Sequence, residues 1–357
     1  MSYTPFNAPL LAGLLGDRQV AGSFSVEAEI HAMLRFEIAL AEAEADRAVI
    51  PAEAAHAIEI ALRSFDPDIA SLSAATARDG VVVPELVRQM RAVIGEPHGR
   101  HVHFGATSQD AIDTSLILRL KDVNAVLLRR MAELEAAFST LIDRFGANAL
   151  MARTRMQAAI PITAGDRIAN WSSPLHDHRV RFEELAPRLY RLQFGGAAGT
   201  LDRLGDKAGA VSAGLAARLH LSAPARPWHT DRSALADYGH WLALVTGALG
   251  KFGQDVALMA QNGIDDIALS GGGASSAMPH KQNPVLAESL VTLARFNATL
   301  VSGMHHALVH EQERSGAAWT LEWMLLPQMA VATGAALRNA LALCGSIERI
   351  GDWRANN

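Results

Sequence analysis

The chain has 357 residues, half of them hydrophobic and 19% charged, which is enough apolar matter for a large core and excludes a disordered polymer. A formal net charge of −5 offers no basic surface of the kind nucleic acid or an anionic membrane would demand. Cys344 is the single cysteine, so no intrachain disulfide can form. No charged and then apolar leader opens the sequence, and the expected compartment is the cytoplasm.

Residues 1 to 22, with Pro5, Pro9, Gly13, Gly16 and Gly22, read as an irregular lead-in. From Ser25, a plausible N-cap, apolar residues recur at helical spacing (Ile30, Met33, Leu34, Ile38, Ala41) until Ile50-Pro51 ends the run. A second helix is expected from Ala52 to Arg63. After Pro67 and a Ser/Ala-rich stretch, a third runs from Pro84 to Ile94. Residues 1 to 100 are therefore expected to form a small helical N-terminal domain, 101 to 350 a long-helix domain, and 351 to 357 a tail.

His98 to Asp110 is a loop rich in His and hydroxyls, and it opens directly into a stretch without Pro or Gly that lasts until Gly146. A helix from Asp110 to Phe145 would be about 50 Å long, and its N-terminus favours anions through free N–H groups and the helix dipole. Thr107 and Ser108 also suit simple capping. Further long helices are expected over Gly165–Gln193 (with kinks at Pro174 and Pro187), Gly199–Leu219, Asp231–Asn262, Pro284–Glu311 and Ala317–Ile350. No stretch alternates with period two for long enough to suggest a sheet core. The fold class is all-α, a bundle of very long helices whose Ala-rich, aromatic-poor faces allow close packing.

Gly271 to Pro284 reads Gly-Gly-Gly-Ala-Ser-Ser-Ala-Met-Pro-His-Lys-Gln-Asn-Pro. Composition alone permits a flexible linker, and the spacing of a phosphate-binding loop is absent. Its residue types also suit a carboxylate substrate. Lys281 and Asn283 can hold a carboxylate, and backbone N–H groups can stabilise an anion beside Ser275 or Ser276. His306 and His310, with His305 adjacent, are spaced i, i+4 as in a two-ligand metal site. H-E-x-x-H is absent and no cysteine is near, so no metal site is expected.

Ser275 to Pro284 resembles the signature loop of the fumarase/aspartase superfamily. His103 to Asp110 resembles that family's first substrate-binding segment. Met151 to Thr163, with Ala152-Arg153-Thr154-Arg155-Met156-Gln157 at its centre, resembles its Gly-Arg-Thr-His-Leu-Gln stretch. There Ala152 stands in place of Gly and Arg155 in place of the His of many members. Gln193–Leu201, Pro227–Arg232 and His310–Trp323 are similar to segments of the carboxymuconate cycloisomerase branch.

The resemblance implies a cofactor-free closure of 3-carboxy-cis,cis-muconate to a lactone in aromatic-acid breakdown. Ser275 and Lys281 would be catalytic. His103, Thr107, Ser108, Gln109, Thr154, Arg155, Gln157, Ser276, Met278, Asn283 and Glu288 would bind substrate. In relatives the His at position 155 pairs with a Glu, whose counterpart is Glu288, so an Arg155–Glu288 pair or close approach is expected. The resemblance further implies a homotetramer in which each site joins segments of three chains. The final small helical domain of many relatives is expected to be short or absent here. The alternatives are an adenylosuccinate- or argininosuccinate-type lyase and a non-catalytic structural protein on the same scaffold; retention of Ser275, Lys281 and Asn283 disfavours the latter.

Overall fold

The computed structural model describes residues 4–274, 278 and 282–352. Short helices α1 (Ala12–Leu15) and α2 (Arg18–Gly22) occupy the lead-in that the sequence left irregular. Helix α3 (Val26–Ala45) begins where Ser25 accepts a hydrogen bond from the Ala28 amide, and α4 spans Ala52–Arg63. The Ser/Ala-rich stretch is itself a helix, α5 (Ile69–Asp79). Asp68 caps its start and Gly80, at φ +76°, closes it in the left-handed conformation. Helix α6 spans Val83–Ile94 with Pro84 in its first turn.

The spine is α7, Ser108–Phe145, an uninterrupted 38 residues. A strand pair then interrupts the helical plan. β1 (Ala149–Thr154) and β2 (Gln157–Thr163) form an antiparallel hairpin with Thr154 opposite Gln157. Arg155 and Met156 form its two-residue turn, both at positive φ (49° and 68°). Four long helices follow: α8 (Ala164–Leu189), α10 (Ser233–Met259), α11 (Val285–His306) and α12 (Ala317–Ser346). Between α8 and α10 lie a 3-10 segment (Asp202–Lys207) and α9 (Ala208–Leu219), shorter together than the single helix expected. Four more short strands gather at the same end as the hairpin: β3 (Ile267–Leu269) pairs with β6 (Ile347–Ile350), and β4 (Gly273–Ala274) pairs with β5 (Gln282–Asn283). Helix α12 therefore stops at Ser346, and α11 at His306, each earlier than the apolar periodicity implied.

Polar contacts fix the helix directions. Arg232, just before α10, and Trp319, at the start of α12, both donate to Asp113 in the first turns of α7. At the far end Trp171 of α8 donates to Asp255 of α10, and Ser270 donates to the Ser346 carbonyl. So α7, α10 and α12 run one way, and α8 and α11 return. The core between them is apolar. Phe252 meets Phe138 and Trp171 with ring centroids 5.0 Å apart in both pairs. Close helix approach depends on small residues, as a Cβ at Gly253 would lie 2.5 Å from the Ala287 carbonyl oxygen. No described helix is long and apolar enough to cross a membrane.

Helix α3 carries a buried acid with no partner. Both carboxyl oxygens of Glu44 lack a hydrogen bond. Burial, reinforced by the charge of Glu37 and opposed by Arg203, pushes its pKa up to about 9. Folding therefore takes up a proton between the ordinary carboxylate range and about pH 9, and stability falls as pH rises through that window. Glu44→Gln removes this titration. We expect its unfolding free energy to lose up to about 1.4 kcal/mol per pH unit of alkaline slope relative to the native chain. Identical slopes in denaturant melts at pH 6, 7 and 8 would count against a neutral Glu44.

Candidate active site

The polar residues singled out from the sequence fall into two groups at opposite ends of the bundle. At the first end, the loop before α7 supplies His103, Thr107, Ser108 and Gln109. His103 sits at φ +61° with its ring largely covered, and its Nδ1 lies 2.6 Å from Glu37 Oε1 of α3. Although burial pulls the other way, the Glu37 carboxylate raises His103 above the usual imidazole range, with help from Asp110 and against Arg91. Thr107 precedes the helix, its amide donating to Asp110 Oδ2, and Ser108 begins it. Both are partly exposed beside the free N–H groups of the first turn.

Gln109 differs from this group. It is fully buried, donates to Asp113 and to the His229 carbonyl, and accepts from Arg314. Its amide is already spent within the chain, so it positions neighbours instead of facing outward.

Beneath these residues lies a buried polar network that sequence reading did not assign. Asp110 accepts from the Gly195 and Gly196 amides and lies 2.9 Å from His229 Nε2. No other residue fits at 196, where φ is +67° and a Cβ would stand 2.8 Å from the Gly105 carbonyl oxygen. Asp113 takes both terminal nitrogens of Arg232 and the Trp319 indole N–H. Glu322 takes the remaining face of the same guanidinium. Burial alone would lower Arg232, but the two carboxylates hold it well above its ordinary value. Burial pushes Glu322 up, against the pull of Arg232. One cation between two acids in a dry site needs full hydrogen bonding to be tolerated, and here it has it.

The three segments 193–201, 227–232 and 310–323 thus converge on the first two turns of α7. Arg314, held by Gln109 and the Ala197 carbonyl, brings a guanidinium to the same end. The His310 side chain is buried 3.9 Å from Glu322 with neither ring nitrogen hydrogen-bonded, while His305 and His306 are exposed.

At the second end the β1–β2 hairpin displays Thr154, Arg155 and Gln157, all exposed. A tight turn with both central residues at positive φ is usually built from Asn and Gly, so Arg and Met here carry strain of about 1 kcal/mol each. Such strain is typical of a residue held for what it contacts. Around the end of α10, residues Ala152, Arg155, Asp166 and Lys251 line a recess of about 690 Å³. Next to it, Gln261, Gln282, Asn283, Glu288 and Arg349 line another of about 1000 Å³. Arg155 and Glu288, both exposed, form no ion pair with each other within the chain. The β4–β5 pairing joins the two flanks of the signature segment, with Gly273 opposite Asn283. Met278 is exposed, whereas Ser275, Ser276 and Lys281 lie outside the described residues.

This fold and the residues at its two ends define a class. A family model for lyases matches residues 17–299, and the chain belongs to that family, within the fumarase/aspartase superfamily. It is 41% identical to the 3-carboxy-cis,cis-muconate cycloisomerase of Pseudomonas aeruginosa over 91% of this chain and 72% of that one. To the cycloisomerase of the same name from Pseudomonas putida it is 38% identical, over 96% of this chain and 81% of that one. The crystal structure of the 3-carboxy-cis,cis-muconate lactonizing enzyme from Pseudomonas putida superposes with a TM-score of 0.89 at 37% identity, covering 96% of this chain and 77% of that one.

Proposed function

We infer that the protein is a cycloisomerase closing 3-carboxy-cis,cis-muconate to 4-carboxymuconolactone in aromatic-acid degradation. The observation that carries this is the likeness of the curated cycloisomerases, at 41% and 38% identity over 91% and 96% of the chain. Adenylosuccinate and argininosuccinate chemistry is not favoured by these relatives.

In the reaction, a carboxylate oxygen of the substrate bonds to an alkene carbon. The alkene electrons move toward the carbon α to another carboxylate, and a proton is delivered there. Charge accumulates on an aci-carboxylate before the proton arrives, and cationic and N–H donors must stabilise it. Ser275 is the proton carrier, made competent by donors that stabilise its alkoxide, with Lys281 chief among them. Arg155 binds a substrate carboxylate, since a guanidinium stays charged and cannot exchange protons near neutrality. His103, Thr107 and Ser108 bind at the helix end, and Asn283 with the Glu288 turn frames the other side. The reaction takes place in the cytoplasm without a cofactor.

The site is shared between chains of a homotetramer. Thr107 and Arg155 flank a helix of 38 residues, about 57 Å at 1.5 Å per residue, so one chain cannot bring them to one small substrate. A symmetric assembly with helices packed antiparallel places the first end of one chain against the second end of another. Exposed apolar residues on the hairpin and on α7 and α8, namely Ile142, Met151, Met156, Ile160 and Val180, suit burial in such contacts.

The test is a spectrophotometric assay with 3-carboxy-cis,cis-muconate, a panel of substituted muconates, adenylosuccinate and argininosuccinate. Preferred turnover of the 3-carboxy substrate is expected. Turnover of only a succinyl compound, or of none, contradicts the reading.

A further inference from the structure

Glu37 does not belong to any of the segments discussed as binding substrate, yet it is the one hydrogen-bonding partner of a residue that does. It lies in the middle of α3, 2% exposed at the side chain, with Oε1 2.6 Å from His103 Nδ1 and Oε2 without a partner. Among the described residues no Lys or Arg reaches it by ion pair, so the imidazole is its one counter-charge there. Deprotonating His103 would leave a buried carboxylate without that charge beside it, an unfavourable state. On the other side of the ring, Nε2 makes no hydrogen bond with any described residue and is not among the buried orphaned atoms.

We propose that Glu37 is a positioning residue for His103, fixing the ring through Nδ1 so that a charged Nε2–H is presented at the start of α7 to a carboxylate of the substrate. The proposal rests on the reading of His103 as a substrate ligand.

The surroundings support this arrangement. The charged groups facing the ring are Glu37 from α3, Asp110 from α7 and Arg91 from α6, two negative and one positive. Asp110 is committed to the Gly195 and Gly196 amides and to His229, and Arg91 donates to the Val102 carbonyl. Glu44, further along α3, is held neutral and adds no second negative charge near neutral pH. The loop bearing His103 is itself anchored. Its neighbour Phe104 lies under the Arg203 guanidinium at 4.4 Å, and Gly105, at φ +71°, packs on Leu204. The ring therefore has one orientation available and one strong partner to set its proton count.

Glu37→Gln keeps the shape and a hydrogen bond but removes the charge. The expected result is a KM that rises about tenfold between pH 6 and pH 8, where the native enzyme is nearly flat, with kcat altered less than about threefold. Glu37→Asp should restore part of the flat profile. A parallel profile in Glu37→Gln and native enzyme, or an equal loss at every pH, overturns the proposal. A second arm does not depend on turnover. In protein labelled with ¹³C at histidine Cε1, the resonance lost in His103→Gln should titrate about one to three pH units lower in Glu37→Gln than in the native protein. An unchanged titration sinks the role of Glu37, whereas failure of the cycloisomerase reading would show as a native enzyme inactive on 3-carboxymuconate.

Discussion

Ser275→Ala is expected to lower kcat by roughly 10² to 10⁴, the range that a positioned proton donor contributes, and to leave the fold and assembly unchanged. Ser275 stands six residues before Lys281 in the signature segment, and the proposed function makes it the proton carrier. The structural cost should be small. Among the described residues between Ser270 and Leu286 none is buried in the core. The flanks remain paired as β4 and β5. Thermal melting within a degree or two of the native value is the matching expectation. If Ser275→Ala keeps a near-normal kcat while Ser276→Ala does not, the neighbouring hydroxyl carries the proton.

Arg155→Ala should lower kcat/KM by about one to three orders of magnitude, the scale of a lost charge-assisted contact to a carboxylate. Its position at a hairpin tip makes the interpretation clean. The side chain is exposed and makes no ion pair with any described residue of its own chain, so its removal leaves the core untouched. Most of the loss should lie in substrate affinity. Arg155→Lys should recover little, since an ammonium cannot reproduce a bidentate guanidinium. If Arg155→His instead improved activity and added a pH limb between about 6 and 7, position 155 would be an acid–base site and the assignment to binding would be wrong.

The helical plan was legible wherever periodicity and stop signals agreed. The absence of Pro and Gly from Asp110 to Phe145 gave α7 almost to the residue, and Ser25 marked the start of α3, which ends at Ala45, short of the Ile50-Pro51 stop. The Ser/Ala-rich stretch before Pro84 hid α5, although Asp68 and Gly80 were its N-cap and C-cap signals. The β1–β2 hairpin was illegible for a different reason. Its turn is Arg-Met, without the Asn or Gly that normally marks a two-residue turn, and Met-Ala-Arg-Thr carries no alternation.

The candidate site was legible as three segments but not as an arrangement. Gln109, expected to bind substrate, is buried and hydrogen-bonded to Asp113, the His229 carbonyl and Arg314. Its partners stand more than a hundred residues away in two of those cases, a separation that single-sequence spacing cannot bridge. Glu37 and the Arg232–Asp113–Glu322 cluster escaped for the same reason: their partners lie far apart in the sequence, and only the packing brings them together and buries them.

The central claim is that each catalytic centre is completed by opposite bundle ends from different chains. It is tested most directly by complementation. Co-expressed Ser275→Ala and His103→Gln chains, each impaired alone, should form mixed assemblies in which about a quarter of the sites carry both native residues. Turnover of 3-carboxy-cis,cis-muconate should return to a corresponding fraction of the native rate, in a species that light scattering finds to be tetrameric. Mixed assemblies no more active than the two variants measured separately, or a fully active native monomer, would contradict the account.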